Sequence, residues 1–162
     1  MLCNKLYFVI PCYNEEQVLP ETAKRLKDKV RALIQRGKID EGSRILFVND
    51  GSADRTWEII RALHEQDPLY SGINLSRNRG HQNALLAGLM TAKDYADMVI
   101  SMDADLQDDI DAVDEMIEKY LQGIDIVYGV RSSRAKDTFF KKATAEGFYK
   151  IMNTMGANTV FN

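Results

Sequence analysis

The chain is short of several things that define common functional classes. It has two cysteines, Cys3 and Cys12, in 162 residues. That excludes a disulfide-rich scaffold and any zinc site built from C-x-x-C pairs. The two flank the first expected strand, which sets them too far apart to pair, so both are expected as reduced thiols in a cytosolic compartment. It has two histidines, too few for a histidine-cluster metal centre. No apolar run approaches the ~18 residues of a membrane span, and no signal peptide is expected ahead of the first strand. Charge of one sign is not in excess. The formal net charge is -3, which argues against a nucleic-acid partner, since phosphate backbones demand a basic face.

Three phosphate or acyl-transfer signatures are also missing. There is no G-x-x-x-x-G-K-[ST] loop, no G-x-G-x-x-G after the first strand and no G-x-S-x-G elbow. A P-loop nucleotidase, a dinucleotide-binding dehydrogenase and a Ser-His-Asp hydrolase are thereby disfavoured.

What is present is an alternation of short apolar runs and helical periodicities. Strands are expected at 6–10, 44–48, 73–75, 98–102 and 124–130. Helices are expected at 20–36, 54–66, 81–95, 110–121 and 138–155, with an irregular tail from 156 to 162. Pro20 suits a first helical turn and Gly37 a helix exit. The polar segment 131–137 reads as a loop. Strand–helix alternation implies an α/β sandwich around a mostly parallel sheet, in which ligands bind at the carboxyl ends of the strands.

Polar residues collect at those ends. The five expected strands run into Pro11-Cys-Tyr-Asn-Glu-Glu16, Asn49-Asp-Gly-Ser-Ala-Asp54, Ser76-Arg-Asn-Arg-Gly-His81, Asp103-Ala-Asp-Leu-Gln107 and Arg131-Ser-Ser-Arg134. The fourth carries the most chemistry. If the chain stays extended past its strand, Asp103, Asp105 and Gln107 share one face. Carboxylates that close repel, and a hard cation with oxygen ligands, Mg²⁺ or Mn²⁺, is the natural compensator, with open positions for substrate phosphates. Bland roles compete elsewhere. Asp54 reads as a helix N-cap, and Asp108, Asp109 and Asp111 as caps and dipole partners of the next helix. Gly51 with Ser52 reads as a turn, and His81 as a polar contact rather than a ligand.

Taken together, Val9-Ile-Pro-Cys-Tyr-Asn-Glu-Glu16, Val48-Asn-Asp-Gly-Ser52, Ser76-Arg-Asn-Arg-Gly80, Met102-Asp-Ala-Asp-Leu-Gln-Asp108 and Tyr128-Gly-Val-Arg131 resemble glycosyltransferase family 2. The similarity is greatest to its polyprenyl-phosphate glycosyltransferases, of the dolichyl-phosphate mannose synthase and bactoprenol glucosyltransferase type. The resemblance implies a GT-A-like αβα sandwich and an inverting, metal-dependent transfer from a UDP- or GDP-sugar, with a polyprenyl phosphate as acceptor. It implies that Pro11, Tyr13, Asn14, Glu15, Val48, Asp50 and Asn78 contact the nucleotide, Asp50 by hydrogen-bonding the base. Asp103 and Ala104 would lie near the nucleoside, Asp105 and Gln107 on Mg²⁺ or Mn²⁺, and Arg131 on phosphate, making Asp103, Asp105 and Arg131 the catalytic set. Two positions depart from the family pattern: Arg79 stands where relatives often have an aromatic, and Asn49 where many have Asp. Relatives continue into an acceptor-binding segment, and many add membrane helices. Residues 1–162 are therefore expected to be one donor-binding domain of a longer, membrane-associated enzyme on the cytoplasmic face.

Three other readings compete. One is a glycosyltransferase acting on a saccharide hydroxyl. Another is a non-catalytic nucleotide-sugar-binding module. A sugar-phosphate nucleotidyltransferase is the third, but it calls for a basic, Gly-rich loop where this chain has an acidic one.

Overall fold

The computed structural model describes residues 4–105 and 107–129. Eight elements follow one another: β1 (Leu6–Cys12), α1 (Leu19–Gln35), β2 (Arg44–Asn49), α2 (Thr56–Gln66), β3 (Tyr70–Asn74), α3 (His81–Ala92), β4 (Met98–Ser101) and α4 (Ala112–Leu121). The four strands form one parallel sheet in the order β3-β2-β1-β4.

The period-two pattern of β1 explains the layering. Leu6, Phe8, Ile10 and Cys12 point to one face, where they meet Leu26, Val30 and Leu33 of α1, Ile60 of α2 and Val113 and Ile117 of α4. Val9 points to the other face, with Leu46 and Val48 of β2, against Ala84 and Ala92 of α3. A fully buried side chain of this kind contributes about 1.5–3 kcal/mol over its exposed state. The α3 layer lies unusually close. A Cβ on Gly88 would stand 2.4 Å from Cγ1 of Val9 and 2.9 Å from Cγ2 of Val48, so only glycine fits at that crossing.

Pro11 does not end β1 as the sequence suggests; the strand runs on to Cys12. The carbonyls of Val9 and Cys12 accept from Met102 on the β4 side and from Asp50 on the β2 side. Backbone groups alternate between the two sides, so Pro11 faces the β4 side. There the ladder has already stopped, at the Val9–Ser101 pair. The missing N–H costs nothing at that place.

The helix exits follow the expected chemistry. Gly37, at φ +65°, donates to the Ile34 carbonyl and Lys38 to Leu33, a Schellman ending. Gly123 and Ile124 repeat it on α4, donating to Tyr120 and Lys119.

The expected fifth strand is absent from the described part, residues 124–129, which form no strand. Ile124, Ile126 and Tyr128 alternate as a strand would, but they project into solvent, Tyr128 82% exposed. Alternation needs a ladder partner to become a strand, and these residues have none among the described ones. The expected helix at 138–155, the loop at 131–137, the tail and Cys3 lie outside the described residues. The chain divides into two compact units, Met1–Val127 and Tyr128–Asn162, and the sheet with its four helices belongs to the first. No helix among the described residues is long and apolar enough to cross a membrane.

Candidate donor-binding site

The chain moves from β1 outward through β2 to β3, then returns by way of α3 to place β4 on the other side of β1. The direction of winding therefore reverses between β1 and β4, where parallel α/β sheets bind ligands at their carboxyl edge. A cleft of about 410 Å³ opens there, lined by Pro11, Cys12, Tyr13, Glu15, Asp50, Asn78, Gly80, His81, Ala84, Asp103, Ala104 and Asp105.

Three loops that frame it are stapled to one another. Asn14 takes a left-handed φ of 56°. Its amide oxygen accepts from Ala53 N–H, 2.9 Å, and its own N–H donates to the Ser52 hydroxyl, also 2.9 Å. Glu15 N–H donates to the Thr56 hydroxyl and Glu16 N–H to Asp54. The β1–α1 loop is thus clamped to the β2–α2 loop. Asp50 then grips the β3–α3 loop. It is 2% exposed, and its two oxygens accept from the N–H groups of Arg79, 2.7 Å, and Gly80, 2.9 Å. Gly51, at φ +65°, lets the loops touch: a Cβ there would lie 2.4 to 2.7 Å from backbone atoms of Arg77 and Asn78.

The fourth rim differs from its expectation. The chain does not stay extended after β4; Ala104 and Asp105 lie in a turn. Alternation is therefore not what aims the two carboxylates. Ala104 is buried, 3% exposed, between Asp103 and Asp105, which are exposed and line the cleft. The Ala104 carbonyl accepts from the Thr22 hydroxyl of α1 at 2.6 Å. Asp103 N–H donates to Asp108, 3.1 Å, and Gln107 N–H to Asp105, 3.1 Å. Asp103 also faces His81, with Oδ1 3.8 Å from Nε2.

Several carboxylates crowd this space, with His81 as the basic group beside Asp103. Burial pushes the Glu15 carboxyl above its usual range, and the charges of Asp105, Asp54 and Asp103 push it further. Asp54 goes the other way. Burial pushes it up, but hydrogen bonds from the Thr56 hydroxyl and the N–H groups of Thr56 and Glu16 outweigh that and hold it below the usual range. Burial, reinforced by Glu15, raises Cys12 so far that its thiol stays protonated.

Among the described residues no three His, Cys, Asp or Glu side chains converge as a self-sufficient metal cage. The donor set still fits a hard divalent cation. Such ions take one or two carboxylates and complete their shell with water and substrate phosphate. The repulsion registered at Glu15 is what a cation beside Asp105 would relieve.

Eight of the residues implied by the resemblance line the cleft: Pro11, Tyr13, Glu15, Asp50, Asn78, Asp103, Ala104 and Asp105. Two do not. The Val48 side chain is wholly buried in the smaller core, and Asn14 is spent on the neighbouring loop. Gln107 is exposed, does not line the cleft and offers its backbone N–H to Asp105. Arg131 lies outside the described residues. Asp54 lies one residue before the N-cap of α2, Arg55, yet its carboxylate still satisfies the N–H and hydroxyl of Thr56, the first helical residue. His81, Gly80, Ala84 and Cys12 are cleft residues that sequence reasoning does not select. The one available signal is that His81 opens a helix directly after the polar run of the third strand.

A family model described as glycosyl transferase family 2 matches residues 7–161. The chain belongs to glycosyl transferase family 2. It is 51% identical over 157 residues to an uncharacterized glycosyltransferase, YkoT, of Bacillus subtilis (strain 168), covering 97% of this chain and 47% of that protein. It is 42% identical over 149 residues to the bactoprenol glucosyl transferase of Shigella phage SfV, covering 92% of this chain and 46% of that protein. The chain thus spans about half the length of the curated relatives it matches. Among solved structures, S. aureus TarS 1-349 in complex with UDP-GlcNAc superposes with a TM-score of 0.54 at 18% identity, over 83% of this chain and 39% of that one. That likeness supports the fold, an α/β sandwich of the GT-A type.

Proposed function

We propose that this chain is the donor-binding domain of an inverting, metal-dependent glycosyltransferase that moves a sugar from a nucleotide-diphosphate sugar to a polyprenyl phosphate. The observation that carries the proposal is the cleft at the point where the winding reverses. It brings Asp103 and Asp105 to one lining with Tyr13 and Glu15, and the charges of Asp105 and Asp103 act on Glu15 there. Support for the donor comes from TarS, solved with UDP-GlcNAc and with UDP. The relatives named bactoprenol glucosyl transferase support the acceptor.

Asp105, with Gln107 beside it, would hold Mg²⁺ or Mn²⁺, which when bound supplies Lewis-acid neutralisation of the departing diphosphate. Tyr13, 48% exposed at the mouth, offers a ring face to the nucleoside, and Asp50 fixes the loop that carries Asn78. By family resemblance Arg131 adds a positive charge at the phosphates. The acceptor attacks the anomeric carbon on the face opposite the leaving group, which inverts it. A phosphate acceptor has a second pKa near ~6 and is largely a dianion at neutral pH. It attacks without a general base, whereas a saccharide hydroxyl requires one. The longer protein would work at the cytoplasmic face of a membrane, where its lipid acceptor lies.

The test is titration calorimetry of UDP and GDP with Mn²⁺, with Mg²⁺ and with chelator. At least one nucleotide should bind more tightly with metal, and Asp105→Ala should remove that gain. Equal affinity in metal and chelator refutes the metal role. Transfer to polyprenyl phosphate by the protein carrying this chain tests the acceptor. Donor binding without transfer or donor hydrolysis would point instead to a non-catalytic module.

A further inference from the structure

We propose that Thr22, on α1, is a positioning residue for the acidic pair of the cleft; the inference rests on the donor-binding reading above. Thr22 is 2% exposed. Its hydroxyl stands 2.6 Å from the Ala104 carbonyl and 3.1 Å from the Val18 carbonyl. The hydroxyl has one proton to give. The Val18 carbonyl already accepts the Thr22 backbone N–H at 3.1 Å, so the proton belongs to the shorter contact with Ala104.

This bond has a role at the turn that its neighbours lack. The hydrogen bonds from Asp103 N–H and Gln107 N–H span five and two residues, so they shape the turn but do not anchor it. Thr22 reaches across 82 residues and joins the turn to α1. It holds the middle residue of Asp103-Ala104-Asp105, with Ala104 seated in the larger core. The two flanking carboxylates repel each other and Glu15, and their mutual repulsion favours a looser turn. The hydroxyl opposes that loosening from a buried residue that is not part of the cleft lining. A cation and diphosphate then meet a carboxylate pair whose spacing is already set, and binding carries less ordering cost.

The experiment compares Thr22→Val, Thr22→Ser and the unaltered chain, reading calorimetric affinity for the nucleoside diphosphate with Mn²⁺ and with chelator, and the melting temperature. Valine keeps the shape and loses the hydroxyl. It should lower the metal-dependent affinity by about 10-fold or more, the usual cost of losing a group that orients a metal ligand, while affinity in chelator stays put. Serine keeps the hydroxyl and loses a buried methyl. It should melt earlier yet retain the metal-dependent gain, a separation that a merely structural Thr22 would not produce. Should the valine variant fail to fold, Thr22→Ala replaces it, and equal metal-dependent gains in the alanine and serine variants overturn the inference. A gain retained in full by Thr22→Val overturns it as well, with the donor-site reading intact. An unaltered chain that shows no metal gain overturns the donor-site reading and this inference with it.

Discussion

Gly51→Ala separates two costs that usually travel together. The residue sits at φ +65°, and so does Gly37, which closes α1. An alanine in this region costs about 1–2 kcal/mol, and about 0.4–1 kcal/mol returns because the unfolded chain loses freedom. At Gly37 a Cβ would meet nothing within 4 Å, so Gly37→Ala should cost only that difference, roughly 1 kcal/mol. At Gly51 the Cβ would stand 2.4 Å from the Arg77 carbonyl carbon and 2.5 Å from the Asn78 nitrogen. These are backbone atoms and cannot rotate aside, so the β3–α3 loop must retreat by about 1 Å to reach ordinary contact. The same loop supplies the N–H groups of Arg79 and Gly80 that Asp50 holds. Hydrogen bonds to a charged acceptor are worth about 1.5–3 kcal/mol each, and losing the equivalent of one adds that much. Gly51→Ala should therefore exceed Gly37→Ala by roughly 1.5–3 kcal/mol. In urea, at an m-value near ~2 kcal/mol per molar, its midpoint should fall by about 1 M more than that of Gly37→Ala. Equal midpoints for the two variants would refute the claim that Gly51 is a point of contact between loops rather than a turn.

Other perturbations draw on the same contacts. Gly88→Ala places a better helix former in α3, a gain of about 1 kcal/mol, against overpacking on Val9 and Val48 that costs about 1–3 kcal/mol; thermal melts should show a net loss, and Val9→Ala in the same chain should relieve it. A double-mutant cycle with no coupling between those two positions would contradict the close approach. Asp67 is held below its ordinary 3.8 chiefly by its hydrogen bond from Lys27, with Leu69 N–H and the charges of Lys27 and Arg31 adding to it against the effect of burial. Its lowered folded value means that its contribution is complete above 3.8 and disappears as pH falls through that value towards the folded one. Melting temperature followed from about pH 5 downward should drop less steeply in Asp67→Asn, and parallel curves would rule this out.

How much is legible in the sequence depends on whether a residue's role is local. The strands β1, β2 and β4 and all four helices can be read from apolar period and punctuation, because burial on a parallel sheet leaves continuous runs. The apolar signal places β3 at 73–75, but the strand runs Tyr70–Asn74, because an edge strand with Gly72 in its middle carries little apolar signal. The 124–129 segment fails in the opposite way, since Ile124, Ile126 and Tyr128 have the alternation but no strand partner among the described residues. At the site, the polar strand ends mark the rim, because turn chemistry is written in neighbouring residues. The division of labour within each rim is not. Asn14 and Glu15 are adjacent, yet one clips a loop and the other faces the cleft. Thr22 and His81 act on Ala104 and Asp103 across 82 and 22 positions, and no local pattern encodes that.

Asp50 illustrates why an acidic cleft can exist at all in a chain of net charge -3. The resemblance implies that this carboxylate hydrogen-bonds the base, and the fold gives it an additional task. Its two oxygens already accept backbone N–H groups from Arg79 and Gly80. An ionised carboxylate has about four lone-pair sites, so two remain, and the same group can order the β3–α3 loop and still receive a donor from a ligand. Asp54 is satisfied likewise, by Thr56 and Glu16. Glu15 and the pair Asp103 and Asp105 are the exception. Asp50 and Asp54 are each held by two or more backbone and hydroxyl donors, whereas Asp105 takes one backbone N–H, from Gln107, Asp103 has His81 at 3.8 Å, and the charges of both act on Glu15 in the cleft that all three line. Among the described residues no lysine of the kind paired with Asp67 and Asp114 stands against them. Under the proposed function, negative charge kept at a preorganised edge would be a reservoir of binding free energy for a cation and the diphosphate that comes with it.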